Sequence, residues 1–235
     1  MSIMAQIDKN TVSAADQTKK YVFFPYSNEE GVKILFCGNS ITYHEIREDT
    51  GWYNEWGMAA SSRENDYVHQ IIKMLENDGV KADICICQAA LWESRYKIGT
   101  EFIKSSEYYK GAHDFEADII VMRVIENSST KEFDAKAFKK SYIDMTDYLN
   151  KSGRAKVIVT SSFWKHPGDG VLREIARENN YPYIYLGDLG EKDGMKALGK
   201  FKDEGIQNHP GDKGMSVIAQ RIYSELGNML VRNGE

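Results

Sequence analysis

Cysteine is scarce in this chain: only Cys37, Cys85 and Cys87 occur among 235 residues, each inside an apolar run rather than in a loop. That placement argues against a disulfide framework and for a reducing compartment. Cys and His pairs at zinc-like spacing are also missing, so Cys85 and Cys87, which alternate onto one face of a strand, read as buried thiols. No run of about 18 apolar residues occurs, and MSIMAQIDKNTVSAADQTKK at the start lacks the apolar stretch of a secretion signal. The chain therefore reads as soluble and cytoplasmic; a mature chain stripped of its leader would read the same. There is no long block of Lys or Arg, and Lys+Arg 30 against Asp+Glu 35 leaves a formal net charge of −5. Neither nucleic acid nor a membrane surface is expected as a partner.

What the sequence does contain is a regular alternation. Apolar runs and helical patterns take turns from Val32 onward, the form of a parallel sheet covered on both faces. VKILFC (Val32 to Cys37), ADICICQAA (Ala82 to Ala90), ADIIVMRVI (Ala117 to Ile125), RAKVIVTSS (Arg154 to Ser162) and YPYIYL (Tyr181 to Leu186) predict five strands. Helical spacing predicts helices from Tyr67 to Leu75, capped by Asp66 and ended by Gly79, and over 135–149, 171–179 and 215–226. Residues 31–235 thus predict a single three-layer α/β domain with no repeat or low-complexity linker. Residues 1–30 form an N-terminal arm or edge segment, because Pro25 in YVFFPYS argues against a central strand. In such sheets ligands bind beyond the carboxyl ends of the strands, where strand order reverses.

One of those loops begins GNSIT, Gly38 to Thr42, directly after the first strand. Read as the N-terminus of a helix, it offers Ser40 unpaired N–H groups and a favourable dipole, suited to a nucleophile whose product passes through an oxyanion. Capping alone is an equal reading of that turn. Partners follow in chain order. Gly57 has no side chain to keep its N–H from a substrate, Asn127 past the third strand carries an amide donor, and His209 before the last helix supplies a base near neutrality. The set amounts to a nucleophile, a base and three oxyanion donors: the N–H groups of Ser40 and Gly57 and the Asn127 side chain.

The order Ser, Gly, Asn, His resembles the SGNH hydrolase superfamily, the GDSL esterases. GNSIT stands where that family has its GDS block, Gly57 at the isolated glycine, ENS at G-x-N-D, and NHPGDKGM at the D-x-x-H-P block. The combination of GNSIT, WGMAAS and HPGDKGM looks most like bacterial carbohydrate esterases that deacetylate sugars. The resemblance implies a flavodoxin-like α/β/α sandwich with a five-stranded parallel sheet, ester hydrolysis through an acyl-serine, and neither metal nor organic cofactor. Two departures stand out. Ile125 replaces the family's glycine before x-N-D, and Ile206 occupies the position of its catalytic Asp, three residues before His209. The imidazole partner is then Asp203, Glu204, an acid from elsewhere or a backbone carbonyl, the last making a Ser-His dyad.

Other residues compete for roles. His166, in HPGDG, is a rival base; chain order in the resembled family selects His209. His44 reads as a surface residue beside Ser40, His69 as the polar side of a helix, and His113 as a loop residue. Arg123 and Glu126 form either a buried pair that orients the loop or a solvated one. Trp52, Tyr53, Trp56, Trp92, Tyr96 and Trp164 form either a platform for sugar rings or ordinary core. The insert from Glu45 to Arg63 either closes over substrate or contacts a neighbouring subunit, which leaves a homo-oligomer open. The expected substrate is a small-molecule or oligosaccharide ester carrying a small acyl group. A lipid-type esterase, lysophospholipase or thioesterase is the alternative within enzymes. A noncatalytic carbohydrate-binding protein is the alternative from another class.

Overall fold

The alternating strands assemble into one sheet of order β1-β3-β2-β4-β5-β6 in the computed structural model, which describes residues 21–24, 31–105 and 107–231. The strands are β1 (Tyr21–Phe24), β2 (Val32–Gly38), β3 (Ala82–Gln88), β4 (Ile119–Arg123), β5 (Lys156–Thr160) and β6 (Tyr183–Ile184). Strands β2 to β6 pair in parallel, and β1 runs antiparallel along β3 as an edge. The edge-strand reading of YVFFPYS thus applies to Tyr21–Phe24; the rest of residues 1–30 lies outside the described residues. The fifth predicted strand is shorter than expected. Pro182 has no N–H to give, and the Leu186 N–H goes to Ser161 Oγ (2.7 Å) instead of a ladder.

Side chains alternate across each strand, so the sheet has two apolar faces. Leu35, Cys37, Cys85 and Cys87 face helices α2 (Ala90–Arg95), α4 (Glu107–Asp114), α5 (Ala135–Leu149) and α6 (Asp169–Glu178), with Trp92, Tyr109, Phe138, Tyr142 and Ile175 filling that layer. Ile34, Phe36, Ile84, Ile86 and Val121 face α1 (Tyr67–Asn77) and α8 (Asp212–Val231) through Val68, Ile71, Ile218 and Ile222. Burial of each such side chain contributes roughly 1.5–3 kcal/mol, so the sequence alternation alone selects a three-layer solution. The three cysteines are free and buried. Among the described residues no helix is long and apolar enough to cross a membrane.

The 90–114 segment was not resolved by periodicity. It holds α2, α4 and the intervening α3 (Thr100–Ser105), and it places His113 in the last turn of a helix, stacked on Tyr148, rather than in a loop. A further short helix, α7 (Glu204–Gln207), precedes His209. The insert packs on its own chain: Trp52, Met58 and Ala59 bury against Ala197 and Ile206, and Ser61 binds Asp212 through its N–H and its hydroxyl (2.8 and 2.7 Å). Residues 45–63 therefore brace the segment that carries His209.

This topology fixes where chemistry happens. From β2 the chain adds β3 on one side and β4 on the other, so strand order reverses at β2, with Gly38 level with Arg123 of β4. The loops after β2 and β4, carrying Ser40 and Asn127, flank that switch point.

Candidate active site

Ser40 sits in a tight turn rather than at the start of a helix. Thr42 and Tyr43 donate their N–H groups to the Asn39 carbonyl (2.8 and 3.0 Å), and no α-helix follows until Tyr67. The turn does not propagate because Ile41 and Tyr43 are drawn into the core beside α1 and α8. Gly38 is required where the turn folds back, since a Cβ there would lie 1.9 Å from Thr42 Oγ1. The Ser40 N–H donates to no acceptor among the described residues, and its carbonyl takes the Met58 N–H at 2.8 Å.

His209 reaches this serine from the far end of the chain, with Ser40 Oγ 2.9 Å from His209 Nε2. Its Nδ1 lies 2.7 Å from the Gly205 carbonyl oxygen. A carbonyl only accepts, so Nδ1 carries the proton, Nε2 carries the lone pair, and the Ser40 hydroxyl donates to it. That is the tautomer a general base needs. Among the described residues the partner of Nδ1 is this carbonyl rather than a carboxylate: Asp203 caps α7 by accepting the Ile206 N–H (3.0 Å), and Glu204 is exposed within that helix. The arrangement is a Ser-His dyad oriented by a backbone carbonyl. Burial lowers the His209 pKa to about 4, against the opposing hydrogen bond to the Gly205 carbonyl, with His44 and Arg123 adding to the lowering and Glu126 opposing it. The edge of Trp164 walls the imidazole, ring centres 5.1 Å apart, and its indole N–H anchors on the Asn208 carbonyl (3.1 Å).

His166 has a different task. Its Nδ1 accepts the Gly168 N–H (3.0 Å), which leaves Nε2–H to donate to the Ser128 carbonyl (3.1 Å). Both ring nitrogens are committed. His44, expected at the surface, is only 3% exposed, because the insert folds back over it and pairs His44 with Trp56. His69 donates from Nδ1 to Asp66, the cap of α1 (2.7 Å).

Gly57 is near the nucleophile loop, but its N–H is given to Asp66 Oδ2 (3.2 Å) rather than offered to a ligand. Its lack of a side chain answers to packing, since a Cβ would come within 2.5 Å of the Ile41 carbonyl oxygen. The aromatic platform is likewise mostly core. Trp52, Trp92 and Tyr96 are buried, with Trp92 Nε1 bonded to Ser141 Oγ (2.9 Å), while Tyr53 is exposed and Trp56 and Trp164 are partly so.

Asn127, in the turn after β4, is exposed, and its Nδ2 gives one hydrogen to Glu93 Oε2 (2.6 Å), leaving the second for a ligand. The turn begins at Ile125, whose φ of +135° L side chains rarely adopt. The positive φ is held without a glycine by Ile125 N–H on Glu93 Oε1 (2.8 Å) and Ser128 N–H on the Ile125 carbonyl (2.8 Å). Glycine at this position is expected to leave the fold about 1 kcal/mol more stable than alanine does, since it relieves strain of about 1–3 kcal/mol. Elsewhere the order is reversed, glycine costing roughly 0.5–1 kcal/mol against alanine. Urea midpoints of Ile125→Gly and Ile125→Ala decide the point, and a more stable alanine variant would contradict the strain.

Beneath the turn lies a polar cluster that sequence reading caught only in part. Arg123 and Glu126 form the buried pair (2.9 Å), and Arg123 also donates to Asn39 Oδ1. Asn39 Nδ2 donates to Glu126 (2.6 Å) and to Glu93 (2.9 Å). Burial, and then the Glu126 charge, hold the Glu93 carboxyl above the ordinary range. Burial pushes Glu126 up as well, but Arg123, the Phe163 N–H and Asn39 outweigh it and leave it low. An aspartate at position 39 would set a third carboxylate against these two and lose the amide that donates to both, so the cluster suits asparagine there. Glu93 was not singled out in the sequence, and Asp66 was read only as the cap of α1; the signal for Glu93 was a lone acid among buried neighbours in AALWES.

No family model matches this sequence, and neither does any curated protein. Solved structures do match. A carbohydrate esterase family 3 structure from Talaromyces cellulolyticus shares 16% identity over 86% of this chain and 99% of that chain, with a TM-score of 0.55. The psychrotrophic esterase EstA from Pseudoalteromonas sp. shares 10% identity over 84% and 98%, with a TM-score of 0.54. The acetyl xylan esterase AlAXEase shares 20% over 83% and 99%, at 0.51. Likeness at such identities speaks of the fold, and the protein has the three-layer α/β/α fold of the SGNH esterases.

Proposed function

We propose that this protein is a serine esterase that removes small acyl groups, acetyl above all, from O-acylated sugars or oligosaccharides. The observation that carries the reading is the 2.9 Å contact of Ser40 Oγ with an imidazole nitrogen whose lone pair is fixed by the Gly205 carbonyl. Ser40 Oγ attacks the ester carbonyl while His209 Nε2 takes its proton. The tetrahedral oxyanion is met by the Ser40 N–H and the free hydrogen of Asn127 Nδ2, each such donor contributing about 3 kcal/mol. His209 returns the proton to the departing sugar oxygen, leaving an acyl-serine. It then deprotonates water, which attacks the acyl carbon and frees Ser40 and the carboxylic acid.

The sugar-ester reading draws on solved structures of the same fold: one is an acetyl xylan esterase and another a two-domain esterase active on acetylated mannans. Among p-nitrophenyl esters, kcat/KM is expected to fall about tenfold or more from acetate to octanoate, as a site shaped for a small acyl group excludes the longer one. Product analysis on acetylated xylo- and manno-oligosaccharides then identifies the released acid and the sugar preferred. A rate rising toward octanoate would make the protein a lipid-type esterase or thioesterase instead, and no turnover of any ester would leave a noncatalytic sugar-binding protein.

A further inference from the structure

Glu93 has no part in the reaction steps, yet it joins the two loops that carry them. Its side chain is fully buried in α2. Oε1 accepts from Asn39 Nδ2 (2.9 Å) and the Ile125 N–H (2.8 Å), while Oε2 accepts from the Asn127 N–H (2.8 Å) and Asn127 Nδ2 (2.6 Å). A carboxylate offers about four lone-pair positions, so its accepting capacity is spent on these loops. Asn39 immediately precedes the nucleophile, and Ile125 to Asn127 is the strained turn. The Glu93 backbone is itself fixed: its N–H bonds the Ala89 carbonyl (2.9 Å) and its carbonyl takes the Ser128 hydroxyl (3.1 Å).

We propose that Glu93 is a positioning residue for ester hydrolysis, its carboxylate holding the Asn127 amide in one fixed orientation beside the Ser40 turn. It acts through Asn127 and touches no substrate. By engaging one Nδ2 hydrogen it sets the amide plane, and so the direction of the other hydrogen, before the oxyanion forms. Such preorganisation favours the transition state over the bound substrate. The inference rests on Asn127 being an oxyanion donor.

Glutamine at position 93 would lose one acceptor and bring an amide N–H into a ring of donors. For Glu93→Gln, kcat on p-nitrophenyl acetate is expected to fall about 10- to 100-fold with KM changed by less than about twofold. The double variant Glu93→Gln/Asn127→Ala is expected to be no slower than Asn127→Ala alone, because both remove one interaction. Multiplying effects, an unchanged kcat, or a change confined to KM would overturn the proposal. If Glu93→Gln does not fold, the wild-type side-chain amide of Asn127, identified in NMR spectra by its loss in Asn127→Ala, serves instead. It is expected downfield and slow to exchange; a freely exchanging amide overturns the proposal. Ser40→Ala separates the two levels. Retained activity there sinks the esterase reading, whereas loss in Ser40→Ala with silence in Glu93→Gln sinks only the role of Glu93.

Discussion

Replacing Ser40 or His209 by alanine is expected to lower kcat on small acyl esters by about a thousandfold or more, and the double variant should be no slower than either single one. The non-additivity follows from the geometry. The two side chains act as one unit across 2.9 Å, so the loss of either leaves the other without a task. KM should change little, because neither group is assigned to holding the sugar. Whatever rate survives comes from the Ser40 N–H and Asn127, which remain in place. Steady-state kinetics of the three variants on p-nitrophenyl acetate and on an acetylated oligosaccharide make the comparison. Equal rates for wild type and Ser40→Ala would remove the nucleophile.

The second large effect is in acid. A histidine paired with a carboxylate has its imidazolium stabilised, whereas here a neutral carbonyl is the partner and burial leads the shift, bringing the pKa to about 4. The active form is neutral imidazole, so activity is full above this value and is lost as pH falls through it. The acid limb of kcat/KM should therefore have its midpoint near 4 rather than near the 6.5 of an unperturbed histidine. At pH 5 the base should still be mostly neutral, retaining roughly thirtyfold more activity than an unperturbed imidazole would. The measurement is kcat/KM from pH 4 to 8, with samples returned to pH 7 to confirm that the fold survived. A midpoint at or above 6.5 would mean either that a carboxylate reaches the ring or that protonation of Glu93, whose carboxyl burial holds above the ordinary range, sets the limb first; a limb that stays in Glu93→Gln points to the ring. The same weak basicity limits the driving force for taking the serine proton, so the dyad gains tolerance of acid at some cost in rate.

How much of this was legible in the sequence depends on the range of the interaction concerned. The strands declared themselves because continuous apolar runs such as VKILFC belong to buried parallel strands, and α5 was bounded at Ala135 and Leu149 by its own periodicity. Ser40 was marked by its place in the loop after the first strand, and His209, 169 positions further on, by its place before the last helix and by chain order in the resembled family. What was illegible is what two distant segments do to each other. Nothing local marks Glu93 as the acceptor for two loops, or commits the Gly57 N–H to Asp66. His44 read as a surface residue and Trp52 as either a sugar platform or core; the polar insert that follows His44 folds inward and buries both. The imidazole partner could be narrowed only to an acid or a backbone carbonyl, for a plain reason: which carbonyl lies against the ring has no letter in the sequence.

The most direct measurement is covalent labelling with a p-nitrophenyl phosphonate, which places a stable tetrahedral phosphorus on an activated serine. The account predicts one equivalent of label on the peptide containing Ser40, no label in Ser40→Ala, and labelling slowed by orders of magnitude in His209→Ala. Label on another residue, or complete inactivation with Ser40 unmodified, would contradict it.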